Sequence, residues 1–494
     1  MSLLRQLAGE TVIYGMSHIM PRILHYVVFT IYLTRSFPDT KDYGIYNDLY
    51  AYSSIILIIL ICRMDTAFFR FSSREDDKEF VFSTALIPLV GLGLVFLISL
   101  LFSKDLIASF LGYPNQTHYV IWFGFIMVFD AFVALPFARF RMENRPYRFL
   151  FFRLMNVGLT IFFVFFFLEL CPFLINKGWS GLERFLILEN RLDYVFLANL
   201  LASGLIFILM IPELLRDKFS FNVDLWKKMM VYALPLVIVG IAGSFNQTFG
   251  TPLQKYFLGD DVAANLANAG IYNATLKIAL LLNLSVVAFN YAAEPFFFKN
   301  FADRDNKEIY GLVALAFTIL GCFILLGIYL YIDIIQLIIG ANYREALYLL
   351  PILLFAYLFL GLYYNFSIWY KLVDRTIIGT YISLIGASIT LLISILFLAK
   401  IGYAASAWAA LACYSFMAVA GLLTGRYYYP IPYPVKKIVM YILVSALIIA
   451  ISYFLEVQGV SLVIKLIINT LLLIVFIGIV IGYEKELIKQ FWTD

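Results

Sequence analysis

The sequence predicts an all-α integral membrane protein of about fourteen transmembrane helices, built as two parallel-repeat six-helix bundles followed by two C-terminal helices. Three observations predict it. Of 494 residues, 63% are hydrophobic and 14% charged, with a mean hydropathy of +0.90, whereas soluble domains run near half apolar and a quarter charged. Apolar runs of about 20 residues, enough to cross a hydrocarbon core of about 30 Å as a helix, recur from end to end without a long polar stretch between them. Landmarks of the first half also return in the second at a nearly constant offset.

On that length rule, spans are expected near 11–34, 44–62, 80–102, 117–137, 149–170, 193–212, 229–250, 269–297, 309–332, 346–369, 376–398, 403–424, 436–455 and 461–482. Helices are expected because runs such as Ile55 to Ile61 and Leu391 to Leu398 are apolar at consecutive positions, and a transmembrane strand would alternate. The amino terminus lacks the charged, apolar and small-residue order of a cleaved leader, so the first span is expected to remain. Cytoplasmic loops hold the excess of Lys and Arg. With the amino terminus inside, 23 of the 36 fall on the cytoplasmic side and nine outside, with Arg22, Arg63, Lys277 and Lys465 within or at the ends of spans. Both termini are therefore expected in the cytoplasm.

The repeat rests on three landmarks. Gly44-Ile45-Tyr46-Asn47 returns as Gly270-Ile271-Tyr272-Asn273, a shift of 226; Leu111-Gly112 pairs with Ile339-Gly340 at 228, and Asn144-Arg145 with Asp374-Arg375 at 230. Each unit holds six spans, and an even number returns the chain to the same side, which makes the repeats parallel. The expected domains are an N-lobe, 1–220, a C-lobe, 221–428, and 429–494 with the last two spans and a cytoplasmic tail. The polar joint Pro212 to Lys218 is expected to hinge. The outer loop Cys171 to Asp193 carries Trp179, Leu182, Phe185 and Leu186 at helical spacing, either a short helix on the outer interface or a plain capped loop.

Composition also excludes classes of function. Basic residues are scattered through short loops instead of forming a tract along a phosphate backbone, so nucleic acid is not expected as a partner. Cys62, Cys171, Cys322 and Cys413 lie in apolar segments without CxxC spacing and read as packing residues. No nucleotide-binding loop, HExxH, nucleophile elbow or paired metal ligands occur, so no enzyme, no metal and no cofactor are expected. Asn115-Gln116-Thr117 is a sequon too short to indicate a host.

An ionisable side chain at membrane depth costs about 2.5–3.5 kcal/mol on insertion scales and therefore faces a cavity or a partner. In the first span Tyr14, His18, Arg22, His25 and Phe29 fall on one helix face, with Pro21 able to bend the helix. Arg22 sits mid-span, either lining a water-filled cavity toward an anion or satisfied by a neighbouring carboxylate or carbonyls. In the eighth span Lys277 follows Asn273 by one turn, with Tyr272 and Thr275 nearby and Asn283 further on. It reads either as the second cation of a phosphate site, with Arg22 as the planar fork, or as a lysine snorkelling outward. Ser244, Gln247, Thr251 and Gln254 form a hydrogen-bonding face suited to sugar hydroxyls or to a helix seam.

Carboxylates in or beside spans include Asp65, Asp130, Glu169, Glu294 and Asp333. Arg63, Asp65 and Arg70 at the inner end of the second span, with Glu294 at the inner end of the eighth, form either a cytoplasmic gate or a solvated rim. Asp130, deep in the fourth span, is an ion-coupling candidate. The loop from Arg139 to Arg148 holds four arginines that orient the chain and could meet headgroups or a diphosphate.

Leu7-Ala8-Gly9-Glu10-Thr11, Asp42-Tyr43-Gly44, Thr66-Ala67-Phe68-Phe69-Arg70-Phe71, Arg141-Met142-Glu143-Asn144-Arg145-Pro146, Ile339-Gly340 with Tyr343, Ala346 and Pro351, and Asp374-Arg375-Thr376 together resemble the polysaccharide-transporter branch of the multidrug, oligosaccharidyl-lipid and polysaccharide exporter superfamily. The resemblance spans essentially the whole chain, through motifs specific only in combination. It implies a V-shaped pair of bundles, alternating access and lipid-linked oligosaccharide or lipid II as cargo. In the related lipid II flippases cationic residues of the first and eighth spans line the central cavity, and Arg22 and Lys277 match them. The expected function is thus a monomeric flippase of a polyprenyl-diphosphate-linked sugar in a bacterial inner membrane, with membrane lipids as its surroundings and Na+, H+ or membrane potential as the drive. Two alternatives are a cation-coupled drug exporter governed by Asp130 or Asp65, and a membrane glycan polymerase or ligase. The drug branch usually has twelve spans and a carboxylate in the first, whereas this chain has none there after Glu10. The enzyme would need large outer loops with catalytic groups.

Overall fold

The computed structural model describes residues 20–21, 23–24, 29–37, 39–72, 78–300, 307–373 and 375–485, with backbone alone at 78, 79, 291–300 and 371. Among them the chain is helical, without a strand. The main helices are α1 (Thr30–Ser36), α2 (Thr40–Ile61), α3 (Met64–Ser72), α4 (Lys78–Phe110), α5 (Thr117–Met142), α6 (Pro146–Phe165), α7 (Arg191–Leu214), α8 (Val223–Thr248), α9 (Gly250–Phe257), α10 (Val262–Asn300), α11 (Glu308–Leu330), α12 (Leu350–Phe366), α13 (Thr376–Ile401), α14 (Ala404–Tyr428), α15 (Val435–Val457) and α16 (Leu462–Tyr483).

Twelve helices among the described residues are long and apolar enough to cross a membrane, and they coincide with the third to fourteenth expected spans. The expected second span is α2, whose first half carries Lys41, Asp42, Asn47 and Asp48; it is not among the twelve. The expected first span lies mostly outside the described residues. Helix ends follow local chemistry. Pro146 opens α6 where its missing N–H costs nothing, the Asn222 side chain accepts from the N–H groups of Asp224 and Leu225 to start α8, and Gly402 at φ 66° ends α13. The loop expected outside forms a 3₁₀ turn, Ser180–Phe185, with no buried side chain. Trp179 at 64% and Phe185 at 44% exposure place apolar rings on that surface, in a tighter winding than the α-helical spacing suggested.

Contacts divide the chain into two compact units. Unit 1 takes Lys41–Pro252 and Asp261–Leu266; unit 2 takes Thr30–Thr40, Leu253–Asp260 and everything from Ala267 on. This division differs from the 220/221 boundary of the repeat: α8 groups with unit 1, and the two helices after residue 428 group with unit 2. The joint expected to hinge, Pro212 to Lys218, accordingly lies inside unit 1.

The repeat is visible in the packing. In unit 1, α4 packs on α5, α5 on α7, and α6 on α7; in unit 2, α11 packs on α12, α12 on α14, and α13 on α14. The same three pairings recur at equivalent places. Over an apolar stretch of 18 residues in each, 67% of residues are buried in α5 and in the segment containing α12, against 17% in α16, so α5 and α12 form the cores and α16 turns mostly outward. Helix α16 nevertheless docks on unit 2 through polar groups. Lys465 Nζ lies 2.8 Å from Glu456 and 2.9 Å from Asp333, and Asn469 donates to the Leu330 carbonyl at 2.8 Å. Just past its far end, Glu484 accepts from Lys437 at 2.9 Å and from the Tyr441 hydroxyl at 3.1 Å.

Candidate functional site

Of the residues expected to bind cargo, Tyr14, His18, Arg22 and His25 lie outside the described residues. Lys277 stands well inside α10 in unit 2, half-buried, beside the buried Tyr272, Asn273 and Thr275. Asn273 donates to the Ala269 carbonyl at 2.7 Å, and its repeat counterpart Asn47 donates to the Tyr43 carbonyl at 2.7 Å. The shared motif thus produces one local geometry twice. The Thr275 hydroxyl oxygen, fully buried, has no hydrogen-bond partner among the described residues, which leaves polar capacity next to the lysine.

The polar face of the seventh span splits. Ser244 and Thr248 share hydrogen bonds with Ser54 at 2.7 and 3.0 Å, joining α8 to α2 as a seam. Gln247 is exposed, while Gln254 is buried in unit 2 and donates to Ser406 at 2.8 Å.

At the end of α2 the chain turns through two left-handed residues, Cys62 (φ 50°) and Arg63 (φ 52°), a conformation disfavoured for side chains with a Cβ. The turn sets the Arg63 guanidinium against Gly240 of α8, where any Cβ would meet it. Asp65 and Arg70 follow on α3; Arg70 lies 4.1 Å over the Tyr232 ring, and the Thr66 hydroxyl donates to Asp65 at 3.5 Å. Glu294 falls on α10 with its side chain outside the described residues.

Asp130 occupies the middle of α5. Ser203, at the middle of α7, donates to it at 3.1 Å, and Tyr50, at the middle of α2, lies within its electrostatic reach. The Asn199 amide, one turn before Ser203, donates to the Tyr50 hydroxyl, and the Tyr46 ring packs on Tyr50 at 4.6 Å. Sequence reasoning found Asp130 alone. Its partners are ordinary residues of distant helices, and no spacing rule joins them.

The four-arginine loop is largely neutralised from within. Arg139, 3% exposed, pairs with the buried Asp217, donates to the Glu213 carbonyl at 3.0 Å and stacks 3.4 Å over Phe82. Arg145 lies 3.1 Å from Glu143 and Arg148 3.2 Å from Glu213, while Arg216 lies 3.1 Å from Glu143, a contact that raises its already high pKa. This lattice fastens the 213–217 joint to α5 and α6, and leaves Arg141 as the one of the four without a carboxylate partner among the described residues. The four cysteines are free thiols, three of them buried.

Comparison with known proteins follows the same lines. The family model described as polysaccharide biosynthesis protein matches residues 7–301, more than half the chain. No curated protein matches the chain at the level of sequence. Among solved structures, the fold is similar to that of the lipid II flippase MurJ in an inward-closed conformation, with a TM-score of 0.72 and 16% identity over 97% of this chain and 100% of the other. It is also similar to an inward-facing multidrug resistance MATE family transporter, with a TM-score of 0.63 and 13% identity over 84% of this chain and 97% of the other. A Vibrio cholerae MATE transporter gives a TM-score of 0.55 at 13% identity over 86% and 97%. With a family match across more than half its length and a fold likeness across nearly all of it, the chain belongs to the polysaccharide biosynthesis protein family and is a multi-pass, all-helical membrane protein.

Proposed function

We propose that the protein is a flippase that carries a polyprenyl-diphosphate-linked oligosaccharide from the cytoplasmic to the outer leaflet of a bacterial inner membrane by alternating access. The observation that carries this reading is a cation, Lys277, held well inside a membrane-spanning helix among buried polar side chains, in a family whose description is polysaccharide biosynthesis. The likeness in fold to a lipid II flippase supports it. In this reading Lys277, with Arg22 of the first span, meets the diphosphate; Asn273, Gln247 and the stripe Tyr14, His18 and His25 meet the rest of the headgroup, and the prenyl tail stays in lipid. Arg63, Asp65, Arg70 and Glu294 line the cytoplasmic mouth. The two expected lobes, 1–220 and 221–428, rock against each other, both termini stay in the cytoplasm, and a monomer performs the cycle without covalent chemistry. An inside-negative potential assists, because outward movement of one net negative charge gains about 2.3 kcal/mol per 100 mV.

Charge-assisted hydrogen bonds contribute about 1.5–3 kcal/mol, and about 1.4 kcal/mol is tenfold. In vesicles carrying a fluorescent lipid-linked headgroup, Lys277→Ala and Arg22→Ala should each slow translocation by about tenfold or more, with Lys277→Arg retaining most of the rate. Unchanged rates in both alanine variants would remove the cationic site from the mechanism.

A further inference from the structure

A carboxylate stands at the midpoint of a membrane-spanning helix of unit 1, with a hydroxyl donor from a second helix on it and a hydrogen-bonded Tyr50–Asn199 pair within its electrostatic reach. We propose that Asp130, with Tyr50, Asn199 and Ser203, is a proton-binding site inside unit 1 whose loading and release are coupled to the transport cycle; the coupling, though not the site, rests on the flippase reading above. The geometry is the argument. Asp130, Ser203 and Tyr50 each stand at the middle of their helices, which sets the group far from either headgroup layer, where an ionised carboxylate costs about 2.5–3.5 kcal/mol on insertion scales. Asp130 is half-buried, receives the Ser203 hydroxyl at 3.1 Å and lies near the Tyr50 hydroxyl, which is itself held by the Asn199 amide N–H.

The uncharged groups of this cluster are the Ser203 hydroxyl on the carboxylate and, beside it, the Tyr50 phenol with the Asn199 amide N–H. They suit an acid that gains and loses one proton better than a metal ion, which needs several converging oxygens. The charged and titratable groups acting on Asp130 are Arg153 from α6 and Tyr50 from α2, with Tyr46 behind Tyr50. The balance is simple: the neutral acid releases H+ to leave a carboxylate, which strengthens its hold on the Ser203 hydroxyl and its attraction to Arg153. Because those partners sit on α7 and α6, and Tyr50 on α2, the change in charge alters how four helices of one unit pack.

Infrared titration of the full chain in sodium-free proteoliposomes tests the site. One protonated-carboxyl C=O band should rise and fall with pH and be absent from D130N; S203A, which keeps the acid and removes its donor, should shift the band. A band unaltered in D130N, or one abolished by adding sodium at constant pH, overturns the proposal. A second measurement tests coupling, with a fluorescent lipid-linked sugar as probe. A proton gradient should speed wild-type translocation several-fold and leave D130N unstimulated, whereas equal stimulation of both overturns the coupling. If the wild type shows the band but moves no lipid-linked sugar, the proton site stands and the flippase reading falls.

Discussion

At the scale of single residues, the landmarks that revealed the repeat turn out to be backbone requirements. Gly44 lies where a Cβ would overlap the carbonyl oxygen of Leu266, so the chain entering α10 can pass α2 only over a glycine. Gly112 and Asn144 hold left-handed φ values of 74° and 52°, which glycine adopts freely and asparagine tolerates. Overpacking typically costs about 1–3 kcal/mol. Gly44→Ala should therefore lower the thermal unfolding midpoint in nanodiscs, while Gly91→Ala, at a site open to added volume, should leave it in place; equal midpoints for both would contradict the close approach. The recurrence of these residues was legible in the sequence, but the reason for them was not, because Leu266 is far from Gly44 along the chain. Asp130 was conspicuous as a lone mid-span carboxylate. Tyr50, Asn199 and Ser203 were not, since side chains of those types recur in many spans and only folding brings these three together.

At the scale of elements, apolar run length located the spans well because lipid imposes a fixed thickness on each one. Polar contacts between elements were less legible. The four arginines around the α5–α6 turn read as an orientation signal, yet three of them meet carboxylates of that turn or of the 213–217 joint. The buried pair Arg139 and Asp217 anchors that joint, and removing one partner of such a pair costs about 3–5 kcal/mol because a charge is left uncompensated. Asp217→Asn should sharply reduce the folded fraction in detergent, measured by fluorescence-detected size-exclusion chromatography. Arg139→Met combined with Asp217→Leu should recover much of it. A double variant as unstable as the single one would show that the pair acts through something other than charge balance.

At the scale of the whole molecule, three helix pairings repeated in both units agree with an internal repeat read from short landmarks. Such landmarks survive because they mark turns and close approaches, which both copies need. The contact division of the chain was not legible, because hydropathy reports which segments are buried in lipid and not which neighbour they choose. Orientation can be checked at this scale too. With native cysteines replaced, a cysteine at Trp179 should react with a membrane-impermeant thiol reagent on intact spheroplasts, and one at Arg216 only after permeabilisation. The reverse pattern would invert the topology derived from the Lys and Arg bias.

The assignment of Thr30–Thr40 to unit 2 has a consequence for synthesis. Its contacts, Thr34 with the Gly340 amide at 3.3 Å and the Tyr343 hydroxyl with the Asp39 carbonyl at 3.3 Å, join positions 306 and 304 residues apart. At roughly 5–20 residues per second, the ribosome needs about 15–60 s to deliver the second partner after the first. Throughout that interval the early segment must wait in the membrane without its final neighbours, so insertion factors that shelter it would determine the yield of correctly assembled protein.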